Sequence, residues 1–163
     1  MTGADRAAYL QGLLTNDVTA LGEGAGCYAA YLTPQGRMIA DLHLLNVGDQ
    51  ILLDVDGAVR VQLIERFEAL VFTEDAQVTD LTESWTSYGV YGPGAPGVVG
   101  TALAASELRD LTLYHSRQVP FLDTTAVVAR IDELGVTGYA LFVDRPLRLV
   151  GRFLNVALDE TLF

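Results

Sequence analysis

The residues best suited to chemistry lie in one short stretch, Gly36-Arg37-Met38-Ile39-Ala40-Asp41-Leu42-His43. Alternate residues of a β-strand point to the same face, so a strand here would place Arg37, Asp41 and His43 together. A carboxylate among apolar neighbours is costly unless it is hydrogen-bonded or functional. Asp41 is therefore the candidate for a functional carboxylate. The alternative is an ordinary ion pair of Asp41 with Arg37 or His43 on the open face of an antiparallel sheet.

The other reactive side chains do not have the spacing of a familiar kind of site. The two histidines, His43 and His115, and the single cysteine do not give the ligand pattern of a zinc site, so no metal is predicted. Cys27 has no basic neighbour in the sequence and is interpreted as a small apolar residue. A Gly-x-Gly-x-Gly run ends at Gly26 and precedes a predicted strand, whereas a dinucleotide-binding fingerprint follows one.

The composition excludes several classes of protein. Of the 163 residues 50% are hydrophobic, a fraction too high for a disordered chain. The formal net charge is −11, so the sequence predicts no nucleic-acid binding, because a phosphate backbone requires a basic surface. The chain has no run of 18 apolar residues and no apolar signal-peptide core at its start, which predicts a soluble, cytoplasmic protein without a membrane partner.

Helices and strands follow one another in an order that predicts an α+β fold. Apolar spacing predicts helices over residues 5–14, 58–71 and 98–108. Short apolar or aromatic runs predict strands over 27–33, 38–47, 50–55, 77–81, 85–91, 110–115, 125–131 and 138–143. Adjacent hairpins favour mostly antiparallel sheets with packed helices over a doubly wound parallel sheet. The order predicts an N-terminal α+β unit over 1–81, a second α+β unit over 82–143, and a C-terminal tail or helix over 144–163.

The turn between the first two strands leaves two registers open. A two-residue turn, Pro34-Gln35, pairs Tyr28 with Asp41. A three-residue loop that ends in Gly36 pairs Tyr28 with Leu42 instead. The sequence does not choose between them.

Three blocks of the sequence carry a resemblance to a known family. They are residues 3–6 (Gly-Ala-Asp-Arg), 9–18 (Tyr-Leu-Gln-Gly-Leu-Leu-Thr-Asn-Asp-Val) and 32–42 (Leu-Thr-Pro-Gln-Gly-Arg-Met-Ile-Ala-Asp-Leu). Together they resemble the N-terminal portion of the folate-binding YgfZ/aminomethyltransferase superfamily, which includes the glycine-cleavage T-protein and the YgfZ proteins of iron–sulfur cluster maintenance. They resemble the YgfZ branch more than the T-protein. The resemblance implies a fragment of the aminomethyltransferase folate-binding fold, a ring-like arrangement of α+β units around a folate pocket.

The resemblance also implies which residues form the site. Asp41 matches an essential carboxylate of the T-protein, which makes it the expected catalytic residue, and Tyr28 matches a tyrosine that contacts folate. Arg130 matches the first residue of the T-protein motif Arg-x-Gly-Tyr-Thr-Gly-Glu-x-Gly-Phe-Glu. Tyr28, Asp41 and Arg130 are therefore the expected binding residues for the implied cofactor, tetrahydrofolate. In the same motif Val136 and Ala140 replace two glutamates, whose carboxylates suit the amino edge of a pterin ring.

The expected function follows from this resemblance. It is that of a YgfZ-like, folate-binding-type protein related to iron–sulfur cluster maintenance, truncated because roughly the C-terminal half of the usual family chain is missing. One alternative is an aminomethyltransferase of the glycine cleavage system, and another is a non-catalytic structural or interaction module on the same scaffold. An active enzyme would be a tetrahydrofolate-dependent, aminomethyltransferase-like transferase. The expected partners are a folate-type small molecule and either further copies in a homo-oligomer or the missing C-terminal half.

Overall fold

Strands outnumber helices along the chain, and the strands form antiparallel sheets. The computed structural model describes residues 1–132 and 135–144. Its elements in chain order are α1 (Arg6–Gln11), β1 (Gly26–Leu32), β2 (Met38–Asn46), β3 (Ile51–Val55), α2 (Arg60–Ala69), β4 (Thr86–Tyr91), α3 (Ala95–Ala102), a 3-10 helix (Ser106–Asp110), β5 (Ser116–Phe121), β6 (Thr124–Arg130) and β7 (Gly138–Val143). The predicted class, α+β with mostly antiparallel sheets, is confirmed.

Unit 1 is one of two compact units and comprises Met1–Asp80 together with Tyr114–Ser116. Its three strands form an antiparallel sheet in the order β1-β2-β3. Alternate residues of the first two strands are buried on one face, and these are Cys27, Ala29, Tyr31, Ala40, Leu42 and Leu44. The opposite face carries Tyr28 and Asp41, which are exposed. The sheet therefore separates an apolar core from a polar, accessible surface.

Phe67 is the centre of the unit 1 core. It is 1% exposed, and α2 places it one turn after the buried Leu63. The rings of Tyr9 and Tyr31 meet it edge-on, with centroid distances of 6.4 and 5.3 Å. The Tyr9 hydroxyl donates to the Phe67 carbonyl. Burial of this hydroxyl, followed by the nearby Tyr31 and Glu74, raises the pKa of Tyr9 to about 12.

Unit 2 comprises Leu81–Leu113 and the residues from Arg117 onward. Its four-stranded sheet has the order β4-β7-β6-β5. Every residue of β7 is buried, as its uninterrupted apolar run requires, because a central strand is covered on both faces. Helix α3 contacts β7 and β4 and contributes Val99, which is fully buried, to the core of this unit.

Two of the predicted strands are wrong. Residues 77–81 contain only an isolated β-bridge at Gln77. Residues 110–115 are not a strand, because Tyr114 has a φ of +61°, a left-handed value that a strand does not adopt. The strand in this region is β5, which begins at Ser116.

The helix predicted over 98–108 is divided into two pieces. Helix α3 ends at Ala102, and the 3-10 helix begins at Ser106. Ala104 lies between them with a φ of +50°, which an α-helix cannot contain.

The tail or helix predicted over 144–163 lies, after Asp144, outside the described residues. Within the part that the structure describes, every helix is too short or too polar to cross a lipid bilayer.

Candidate functional site

The hairpin of β1 and β2 sets the geometry of the candidate site. Its loop has three residues, closed by a hydrogen bond of 2.8 Å from the Thr33 amide to the Arg37 carbonyl, and Gly36 supplies the left-handed φ of +78° that the loop needs. The strands start with Leu32 opposite Met38. The three-residue loop is thus the one formed, although the pairing expected from it does not persist along the ladder.

A β-bulge at Ile39 makes both predicted pairings of Tyr28 wrong. The ladder passes from Leu32–Met38 to Tyr31–Ala40, so one residue of β2 is left over. Tyr28 consequently lies opposite His43 rather than opposite Asp41 or Leu42. Asp41 lies opposite Ala30 and is a diagonal neighbour of Tyr28 on the same exposed face.

Tyr28 and Asp41 nevertheless meet. The Tyr28 hydroxyl donates to Asp41 Oδ2 at 2.6 Å, a short distance that is normal for a hydroxyl on a carboxylate. This hydrogen bond is the main cause that raises the pKa of Tyr28. The two residues that sequence analysis assigned to one site are therefore in direct contact, on a surface that a ligand can reach. The partner that this hydrogen bond gives the Asp41 carboxylate is a phenol, and the alternative of an ion pair with Arg37 or His43 is not tested by it.

Two further rings extend the same surface. The His43 ring centroid is 5.2 Å from that of Tyr28 and 5.7 Å from that of Tyr114. Sequence analysis missed Tyr114, because it lies about seventy positions from His43 and was assigned to a strand. The only signal in the local sequence was a tyrosine at the end of a short, mostly apolar run, and such runs are common in ordinary protein cores. The site thus combines one carboxylate with a row of aromatic side chains.

The 9–18 block supports the free edge of β1. Asn16 donates its Nδ2 to the Tyr28 carbonyl at 2.9 Å, and Thr15 Oγ1 accepts the Ala30 amide at 2.9 Å. Gln11 Oε1 accepts the Val18 amide at 2.6 Å, which holds the turn after α1 in place. These side chains therefore fix the backbone from which the Tyr28 ring projects.

The Gly-Ala-Asp-Arg block, residues 3–6, connects the start of the chain to two distant segments by hydrogen bonds. Gly3 has a φ of +101°, and Asp5, two residues later, accepts the Asp75 amide through Oδ2 at 2.8 Å. Arg6 donates to the Gly3 carbonyl at 2.8 Å and to the Gly48 carbonyl at 2.6 Å. The block ties the start of the chain to the segment after α2 and to the turn before β3.

Arg130, the third predicted binding residue, lies in unit 2. Its Nε and one terminal nitrogen donate to the two carboxylate oxygens of Asp132 at 2.8 and 3.0 Å. Hydrogen bonding to Asp132 raises the pKa of Arg130, and the same bond to Arg130 is the main cause that lowers the pKa of Asp132. Asp132 also accepts the Gly138 amide at 2.9 Å. These bonds link the end of β6 to the start of β7. The expected ligand-binding role of Arg130 stays a prediction.

The cavity and the cysteine lie away from the Tyr28–Asp41 contact. A groove of about 500 Å³ in unit 1 is lined by residues that include Leu13, Tyr31 of β1 and Arg66 of α2. Cys27 is buried, and this burial is the main cause that raises the pKa of its thiol, as expected for an unreactive small residue. Among the described residues no three His, Cys, Asp or Glu side chains are grouped so that they could hold a metal ion.

Comparison with known proteins gives a family match and curated relatives. The family described as the GCVT N-terminal domain matches residues 1–147. An aminomethyltransferase from Rubrobacter xylanophilus is 30% identical over 141 residues, covering 86% of this chain and 38% of that relative. An aminomethyltransferase from Bacillus cytotoxicus is 24% identical over 165 residues, covering 99% of this chain and 45% of the relative. The chain spans less than half the length of these curated relatives.

A solved structure shows the same fold. The glycine cleavage system aminomethyltransferase T from Bartonella henselae matches with a TM-score of 0.74 at 20% sequence identity. The match covers 86% of this chain and 37% of that one. The expectation of a fragment of the aminomethyltransferase fold is confirmed.

Proposed function

This chain belongs to the family of GCVT N-terminal domains, and we propose that it supplies the folate-binding surface of a tetrahydrofolate-dependent aminomethyltransferase of the glycine-cleavage type. The observation that carries the proposal is the contact of Tyr28 with Asp41 on an exposed face of unit 1. The names of the relatives favour this aminomethyltransferase alternative over the YgfZ-like interpretation expected from the sequence blocks.

The residues present suit a reduced folate. A pterin ring offers a flat face and N–H donors at its edge, and the site offers aromatic rings next to a carboxylate acceptor. When bound, tetrahydrofolate supplies the nitrogens that accept a one-carbon unit. Asp41 would hold such a nitrogen by a charge-assisted hydrogen bond, and Tyr28 would orient the carboxylate by donating to its other oxygen. The carboxylate of Asp41, held in this way, would stabilise positive charge that develops on the ligand.

A YgfZ-like function in iron–sulfur cluster maintenance is the second candidate. Val136 and Ala140 stand where the glycine-cleavage motif has two glutamates, and Ala140 is buried in β7. A protein that binds folate without transferring an aminomethyl group could dispense with those glutamates. The two candidates differ in one measurable activity, the tetrahydrofolate-dependent release of ammonia from an aminomethylated lipoyl carrier.

The proposal is tested by calorimetric titration of the purified protein with 5-formyltetrahydrofolate, a stable reduced folate. Saturable binding is expected, and Asp41→Asn should weaken it about tenfold or more, since a hydrogen bond to a charged group contributes about 1.5–3 kcal/mol. Asp49→Asn, on an exposed turn, is the matched control and should leave the affinity unchanged. Absence of saturation in the parent protein, or equal affinities for the parent and Asp41→Asn, would overturn the proposal.

The activity assay then separates the candidates. Ammonia release from the aminomethylated carrier supports the transferase. Folate binding without ammonia release supports the YgfZ-like alternative. The absence of both folate binding and ammonia release supports a non-catalytic interaction module. A cytoplasmic location and association with further copies or a C-terminal half remain part of the proposal.

A further inference from the structure

The function proposed above uses the aromatic rings of the site as a flat surface for the ligand, and it gives the contacts of His43 with the two phenols no separate role. We infer that His43 is a positioning residue, whose ring, in contact with the phenol rings of Tyr28 and Tyr114, keeps the Tyr28 hydroxyl on the Asp41 carboxylate. The inference concerns the ligand-free protein. Only its consequence for ligand affinity rests on the proposed function.

His43 contacts both phenols at once. It lies directly opposite Tyr28 in the antiparallel ladder, with the two ring planes tilted by 48° and the centroids 5.2 Å apart. The Tyr114 ring is tilted by 36° to the imidazole at a centroid distance of 5.7 Å. Both distances lie in the range of about 4.5–7 Å in which aromatic rings attract each other beyond the area that they bury. The imidazole is therefore a bridge between two phenols from distant parts of the chain.

The hydrogen bond from Tyr28 needs such support because of where its acceptor lies. Asp41 is a diagonal neighbour of Tyr28, and diagonal pairs in antiparallel sheets are about 7–8 Å apart, at the limit of a long aromatic side chain. Tyr28 is also 42% exposed, so water competes for its hydroxyl and other rotamers are open to its ring. Contact with the ring of His43 favours the rotamer that reaches Asp41.

Tyr114 is held where its ring can support His43. Its φ of +61° is an outlier for a bulky residue and persists only where the surroundings impose it. The Ser116 amide donates to the Gly24 carbonyl at 2.7 Å, and a Cβ added at Gly26 would lie 2.7 Å from the Tyr114 carbonyl oxygen. The segment 114–116 is thus packed tightly against the start of β1, although it lies far away in sequence.

The charged groups around position 43 are the same in His43→Leu and His43→Phe. Asp41 lies on the same face of β2, and Asp54 of β3 lies directly opposite His43. The phenols of Tyr28 and Tyr114 are the titratable groups whose rings contact the imidazole. Both substitutions remove the imidazole nitrogens, and only His43→Leu also removes the ring, so a difference between the Tyr28 midpoints of the two variants reports the loss of the ring contact.

The test follows the ionisation of Tyr28 in the ligand-free protein, by carbon NMR of ring-labelled tyrosine between pH 8 and 12, with Tyr28→Phe to assign the signal. In His43→Leu the midpoint should fall by at least about 0.5 pH unit, roughly a threefold change in the ionisation constant. His43→Phe keeps a ring and should retain the parent midpoint. His115→Gln controls for the loss of a histidine. An unchanged midpoint in His43→Leu, or an equal fall in His43→Phe, would overturn the inference.

A second variant keeps the test usable if His43→Leu fails to fold. Tyr114→Leu removes the other ring, whereas Tyr114→Phe keeps the ring and removes only the hydroxyl, whose charge also raises the pKa of Tyr28. The Tyr28 midpoint should therefore be lower in Tyr114→Leu than in Tyr114→Phe, and equal midpoints in the two variants would contradict the inference. Titration with 5-formyltetrahydrofolate then measures the consequence, a weakening of about threefold or more in His43→Leu, because a less ordered acceptor binds at a higher entropic cost. If the parent protein binds no folate, the proposed function fails while the NMR result still decides the role of His43.

Discussion

The Tyr28 hydroxyl donates at 2.6 Å to Asp41 Oδ2, although the two residues are diagonal rather than direct neighbours in the β1–β2 ladder. The bulge at Ile39 creates this relationship, because it moves His43 into the position opposite Tyr28 and leaves Asp41 two residues away. A bulge re-aims side chains and increases the local twist of a strand. One additional residue in β2 thus replaces the Tyr28–Leu42 pair, which the loop alone would give, by an arrangement of phenol, imidazole and carboxylate.

Replacement of Asp41 should change the alkaline titration of Tyr28. In the parent protein the hydrogen bond to Asp41 raises the pKa of Tyr28, so the protonated phenol is favoured in the folded state. The Tyr28–Asp41 hydrogen bond therefore contributes to stability below the ordinary pKa of tyrosine, about 10. This contribution is lost as the pH rises through the pKa of Tyr28 in the folded protein. In Asp41→Asn the phenol should therefore ionise at a lower pH. The difference in absorbance at 295 nm between each protein and its Tyr28→Phe counterpart measures this, and an unchanged midpoint would contradict it.

Gly3 should tolerate no side chain. Its φ is +101°, and a Cβ at this position would lie 2.1 Å from the Asp75 carbonyl oxygen, far inside van der Waals contact. Gly3→Ala should lower the free energy of unfolding by about 2 kcal/mol or more, since both the backbone strain and the clash must be relieved. Gly57→Ala, where the added Cβ meets nothing within 4 Å, is the matched control. Urea denaturation of the two variants checks the difference. Equal midpoints would show that the contacts of residues 3–6 do not depend on a glycine at position 3.

Phe67 should contribute more to stability than any exposed residue of α2. It is 1% exposed and contacts two tyrosine rings, so Phe67→Ala leaves a cavity and should cost about 3–5 kcal/mol. Val61→Ala on the same helix removes a side chain that is 56% exposed and should change stability by less than about 0.5 kcal/mol. Chemical denaturation followed by far-UV circular dichroism distinguishes the two. A small effect at Phe67 would mean that the unit 1 core repacks around the cavity.

Local pattern was sufficient to predict most of the elements. The apolar spacing of residues 58–71 and the turn residues between 27 and 55 correspond to α2 and to β1, β2 and β3. The alternation along 38–43 also placed Asp41 on an accessible face. These features depend on neighbours a few residues apart, and such signals are present in the sequence itself.

Long-range features could not be predicted in the same way. The position of Tyr114 against His43 depends on a left-handed turn and on packing between segments about seventy positions apart. The bulge at Ile39 changes the register by one residue, and nothing in the turn Pro34-Gln35-Gly36 specifies it. The short apolar run at 110–115 predicted a strand, but the backbone at Tyr114 is incompatible with one. Tertiary packing decided each of these cases, against or beyond the local preference.

The ion pair of Arg130 with Asp132 should stabilise the β6–β7 connection, so its loss should lower the free energy of unfolding. Both carboxylate oxygens of Asp132 accept from the guanidinium, and one of them also accepts the Gly138 amide, so the pair fixes the two ends of the β6–β7 connection. Lysine cannot form the same two parallel bonds, so Arg130→Lys should lower the free energy of unfolding by about 1 kcal/mol. Arg117→Lys, at an exposed position of β5, is the matched control and should have little effect.

The same pair sets an acid dependence whose sign can be tested. Bonding to Arg130 lowers the pKa of Asp132 below its ordinary value of 3.8, so the ionised carboxylate is favoured in the folded state. The stabilisation is present above that ordinary value and is lost as the pH falls through the lower folded-state value. The difference in unfolding free energy between the parent and Arg130→Lys should therefore be constant from pH 5 to 7 and shrink towards pH 2. Urea denaturation across this range measures it. A difference that instead grows on acidification would show that Arg130 stabilises the fold through contacts other than Asp132.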